Sequence, residues 1–162
     1  MTLETVFNQM KSLTQDILRD ARKDGEIPHG GEVYTFLEWP AKLTALPSVL
    51  LSVTGGNLPT QDGWQGPIQH EVSMLYYFPN ITTAEGHAQI TPMIERVKDK
   101  FAANLTLGDR VDNLMPVAPP ARWYEGPGTL VYAGREHVGI IFNYLMKAKS
   151  SESIVQVSAG TT

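Results

Sequence analysis

Ile68-Gln69-His70-Glu71-Val72-Ser73-Met74-Leu75-Tyr76-Tyr77-Phe78 is the stretch from which the fold is read. Side chains alternate across an extended chain, so Ile68, His70, Val72, Met74, Tyr76 and Phe78 share one face, with Gln69, Glu71, Ser73, Leu75 and Tyr77 on the other. Upstream, residues 46–53 are bounded by Pro47 and the pair Gly55-Gly56, and Val49, Leu51 and Val53 alternate against Ser48, Leu50 and Ser52. The two runs predict an antiparallel hairpin with a long tip over 55–66, which carries Trp64. Downstream, residues 129–147 hold two extended runs flanking Gly134, a second hairpin, with Val138, Ile140, Phe142, Tyr144 and Met146 alternating.

Helical spacing appears on either side of the first hairpin. Leu3, Val6, Phe7, Met10, Leu13, Ile17, Leu18 and Ala21 form one stripe of a helix of about 20 residues, with Thr2 as N-cap and Gly25 just past its end. Thr82 with Glu85 three residues on is a capping-box pattern, with Ile81 placed as a hydrophobic staple. The stripe that follows, Ile90, Met93, Ile94, Val97, Phe101 and Leu105, is interrupted by Pro92, which kinks the helix or starts a new one, and Leu107-Gly108 ends it. Residues 27–39 read as a loop followed by a short extended segment or turn, and 111–115 as a short peripheral piece before Pro119-Pro120. The expectation is one α+β domain over 1–149: a mainly antiparallel sheet of about four strands packed against two helices, with long loops. Residues 150–162 are a polar tail around Ile154, Val155 and Val157, a strand that forms once a neighbour is present.

Composition narrows the function. At 162 residues the chain is long enough for one sizeable core, and 42% hydrophobic against 19% charged residues is globular composition. Thirteen basic against seventeen acidic residues give a net charge of −4, the wrong sign for reading duplex DNA. Without cysteine there is no disulfide framework, thiol nucleophile or Cys zinc site. No basic leader or apolar run of membrane-spanning length stands in the sequence, so neither export by signal peptide nor a membrane partner is expected.

Catalytic patterns are missing. His29, His70, His87 and His137 are scattered, and His70-Glu71 begins a zinc-protease pattern that fails at Met74. Gly126-Pro127-Gly128 does not continue into a phosphate-binding or dinucleotide motif and reads as a rigid turn. Carboxylate pairs such as Asp109 with Asp112 or Glu125 with Glu136 are of a kind any acidic domain supplies, and no cofactor or metal is expected. The three tryptophans, Trp39, Trp64 and Trp123, fall in predicted loops. Each either folds back over the core edge or anchors a subunit contact, where Trp, Tyr and Arg are enriched. Trp64, Arg122, Trp123 and Tyr124 are the candidate interface residues.

Taken in order, the amphipathic helix, the strand over 46–53, the strand His70 to Pro79, the capped helix from Thr82 and the hairpin through residues 130–142 resemble the tail-terminator and minor-tail proteins of the neck of long-tailed bacteriophages. The resemblance spans about residues 3–147. It implies a structural, non-enzymatic virion protein, assembled in the host cytoplasm, that forms a homohexameric ring. Such a ring caps the tail tube protein, stops its polymerisation and offers a docking surface to the head-side connector protein, while DNA passes through the lumen without sequence recognition. An acidic wall suits that passage, since like charges repel phosphate. The tip over 55–66, Pro119-Pro120 and the tail after Ser150 depart from the family pattern. The alternatives are another connector such as a head-closure protein, an adaptor that binds by strand addition through residues 154–157, or a small enzymatic or ligand-binding domain using His70, Glu71, Tyr76 or His137.

Overall fold

The computed structural model describes residues 3–28, 31–58, 68–79 and 83–147. The first apolar stripe becomes the buried side of α1 (Leu3–Lys23), joined there by Thr14, whose hydroxyl donates to the Met10 carbonyl at 2.8 Å and so enters the core without an unpaired proton. Gly25 stops the helix at φ 77°, and the Glu26 and Gly25 amides donate back to the Ala21 and Arg22 carbonyls in the Schellman arrangement.

Six strands follow: β1 (Glu32–Tyr34), β2 (Ser48–Asn57), β3 (Gln69–Phe78), β4 (Asn113–Pro116), β5 (Tyr124–Tyr132) and β6 (Arg135–Lys147), with α2 (Thr83–Ala102) between β3 and β4. The sheet order is β1-β2-β3-β6-β4, and β5 pairs with β6 as well. Since β3 occupies one margin of β6, β5 and β4 share the other, β5 along 135–142 and β4 along 144–147. The fold is α+β as expected, but the expected count of about four strands is corrected to six, and the sheet is mixed because β1 runs parallel to β2. Three residues of β1 are too few to show a period, and β4 ends on a proline. Gly31 lets β1 in: at φ 64°, a Cβ there would lie 1.8 Å from the Pro47 carbonyl oxygen.

The hairpin β2–β3 is antiparallel as expected, but β2 does not stop at Val53. A bulge between Val53 and Gly55 lets Gly55 and Gly56 pair with Glu71 and His70. Most of the expected tip, including Trp64, lies outside the described residues, as do His29, Thr2, the Ile81-Thr82 helix start and the 150–162 tail. The second hairpin turns on Ala133 and Gly134, both at positive φ, the conformation whose twist suits adjoining strands.

Both helices lie on the face carrying Val49, Leu51, Val72, Met74, Tyr76, Phe78, Ile140, Phe142, Tyr144 and Met146, and together they form one core. α1 packs on β1 and β2, and α2 on β5 and β6. Pro92 sits inside a single helix, neither ending it nor starting another. The Arg96 guanidinium donates to the Asp24 and Glu26 carboxylates, tying α2 to the turn after α1. The stripe expected to reach Leu105 stays in the core only to Phe101: the helix ends at Ala102 and Leu105 is 48% exposed.

The opposite face of the sheet is covered at one end by rings. Tyr77 stacks edge-on to Tyr132 at 5.8 Å and His137 at 5.6 Å, and Trp39 reaches Tyr132 at 6.4 Å while its indole N–H donates to the Leu51 carbonyl. Burial, with Arg135 beside it, holds the His137 pKa below its ordinary 6.5, and burial does the same to His70. Such groups take up protons more readily when unfolded, so their contribution is intact above about pH 6.5 and is lost as pH falls through the depressed folded values. Urea unfolding is expected to show falling stability from pH 7 to pH 5. His137→Gln is expected to flatten part of that slope, and an unchanged slope refutes the assignment.

Candidate docking surface

Two helices are too few to cover the helix side of six strands. Past the last turn of α2, the flank formed by β4 and the start of β5 carries a solvent-open cleft of about 330 Å³. One wall is Lys98, Phe101, Ala102 and Leu105; the other is Leu114, Pro116 and Val117, with Trp123 and Tyr144 also lining it. Apart from Lys98 and the indole and phenol polar atoms, its side chains are hydrocarbon. Desolvating such a surface favours association by roughly 25 cal/mol per Å² of apolar area removed from water.

Trp123 is placed there by β6. The Asn143 backbone N–H donates to the Trp123 carbonyl at 2.6 Å, and its side-chain amide donates to the Arg122 carbonyl at 3.0 Å and the Glu125 carboxylate at 3.1 Å. Its amide oxygen accepts from Ser73 at 2.8 Å, so one residue clamps the entry to β5 against β3 and β6. A bulge then follows between Glu125 and Gly128. Gly126 permits it at φ 117°, where a Cβ would lie 2.9 Å from the Gly139 carbonyl oxygen. Asn143 was not singled out from the sequence; the available signal was its odd-numbered place in a strand whose even positions from Val138 to Met146 are all apolar.

Thus fixed, the Trp123 ring packs on Phe142 at 5.4 Å, Tyr124 at 5.7 Å and Tyr144 at 6.2 Å, and Tyr144 in turn meets Phe101 at 5.5 Å. Burial pushes the Tyr144 phenol up to about 12; the nearby Trp123 indole offsets this slightly. That proximity falls short of hydrogen-bond geometry, and the buried Trp123 N–H finds no partner among the described residues. An unpaired buried donor of this kind costs about 1–3 kcal/mol.

The predicted interface residues are therefore divided. Tyr124 is not a loop residue, since it opens β5; Trp123 lies in the bend just before it, outside the strands as expected, where it both closes the core edge and lines the cleft. Arg122 lines a polar groove of about 360 Å³, with Glu71, Ser73, Glu125 and Asn143. That groove is slightly the larger, but covering Arg122 and the two carboxylates sacrifices hydration that the apolar cleft does not hold. Leu105, Leu114 and Val117 complete the cleft and were not among the predicted site residues. The four residues of the pocket alternative are not brought together either. Tyr76 is fully buried, its pKa raised by that burial, while His70 and His137 lie toward opposite ends of the β3–β6 ladder. Compared with models of known protein families and with curated proteins, the chain matches none.

Proposed function

We propose that this protein is a structural subunit of a bacteriophage neck, a ring-forming tail terminator or tail-completion factor that works by docking. Trp123 carries the reading. Its backbone is held by Asn143 at the margin of an open apolar cleft, in the manner of an aromatic interface anchor. The order of elements that resembles neck proteins supplies the partners: further copies of the chain, the tail tube protein and the head-side connector. The net charge of −4 is compatible with DNA passing a ring of such subunits.

Light scattering over a range of concentrations, with and without isolated tail tubes, tests it. A discrete ring of six, or a smaller species that becomes a ring on tube ends, is the expected result. A monomer indifferent to concentration and to tubes overturns the reading.

A further inference from the structure

We propose that the cleft beside Trp123 receives residues 154–157 of a second copy of this chain. The proposal requires self-association but not the neck reading, and it starts from what the cleft accepts. β4 forms its outer wall and is the last strand of the sheet, yet its free margin is poorly suited to adding a strand: Pro116 has no N–H, and the Leu114 N–H already donates to the Leu105 carbonyl at 2.9 Å. An occupant of this hydrocarbon-lined cleft must therefore enter by apolar side chains rather than by backbone pairing, and an extended segment with small aliphatic side chains does so.

The sequence contains such a segment. The stretch after Lys147 is polar except around Ile154, Val155 and Val157. In an extended chain Val155 and Val157 point the same way, about 7 Å apart. β6 leaves the sheet at Lys147, opposite Asn113 of β4 and Gln69 of β3. Val155 is eight residues further on, a span of about 26 Å when extended. Residues 148–153 are Ala, Lys, Ser, Ser, Glu and Ser; of the residues that favour a tight reversal they offer serine but no Gly, Pro, Asn or Asp. A return into the chain's own cleft needs such a reversal soon after Lys147, whereas a neighbour's cleft does not. A contact between an arm on one copy and a cleft on the next is heterologous, the kind that closes into a ring when its rotation divides a full turn.

The absence of cysteine makes the test clean. Leu105→Cys and Val155→Cys are made in separate full-length proteins of different tag size, mixed and oxidised. The expected product is a disulfide joining one of each, which can form only between chains. Homodimers alone, or no cross-link, overturn the proposal. In parallel, Val155→Asp is expected to weaken self-association at least tenfold, while Ser151→Asp leaves it unchanged; equal behaviour of the two variants overturns it. A chain that forms rings on tail tubes without the mixed cross-link loses the arm and keeps the neck reading. A chain that gives the mixed cross-link but ignores tubes does the reverse.

Discussion

Phe142→Ala is expected to cost about 3–5 kcal/mol of folding stability, more than half of what many domains possess. Phe142 is fully buried at the centre of β6 and is held on three sides by rings: Tyr76 at 5.3 Å, Trp123 at 5.4 Å and Tyr124 at 6.5 Å. Removing the ring takes away its transfer free energy and leaves a cavity that cannot readily collapse. β6 is fixed by pairing on both margins, with β3 on one and with β4 and β5 on the other, and Asn143 next door fastens the Trp123 segment. For a chain of this length the loss corresponds to a fall in melting temperature of roughly 10 °C. Phe142→Leu, which refills most of the space, is expected to cost less than half as much. The measurement is a urea midpoint at constant slope, and a loss below 1 kcal/mol for the alanine variant shows that the aromatic cluster is not the keystone described.

Much of this arrangement was legible in the sequence, and the reasons differ by element. α1 declared itself through eight apolar residues at helical spacing and a glycine stop, because a long amphipathic helix repeats its signal over several turns. β3 and β6 were read from alternation, and their faces came out as expected, since a one-residue slip would exchange a face of Val72, Met74 and Tyr76 for one with Glu71 and Ser73. β1 is held by register with a distant strand and by the space Gly31 leaves, neither of which is a local pattern. Tyr124 reads as a loop residue because Pro119, Pro120 and Pro127 surround it, yet β5 begins there, next to the Arg122 carbonyl that Asn143 holds from some twenty residues away. The cleft had no signature of its own. It exists because α2 ends at Ala102 while the sheet continues past it, and only tertiary geometry reveals which apolar residues are then left open.

Leu105→Asp is expected to weaken self-association about thirtyfold or more while leaving the isolated subunit nearly as stable as before. The two effects separate because Leu105 is half exposed, beyond the end of α2, and its structural contact is the backbone carbonyl that accepts from Leu114. Exposed substitutions of this kind change stability by only a few tenths of a kcal/mol. In an assembled ring the same position lies in the wall of an occupied cleft, where a carboxylate is stripped of water with hydrocarbon around it, and the penalty exceeds about 2 kcal/mol. Lys98, on the same wall, does not rescue it, because its ammonium already bridges Glu95 at 2.7 Å. Leu37→Asp is the matched control: Leu37 is more exposed still, at 61%, and stands apart from the cleft in the turn leading to Trp39, so its substitution is expected to leave association unchanged. Sedimentation velocity across a concentration series separates the outcomes. If both variants assemble like the parent, the apolar flank of the sheet is not the subunit contact; if both fail, the contact extends over more of the surface than the cleft, and Trp123 loses its place at the centre of it.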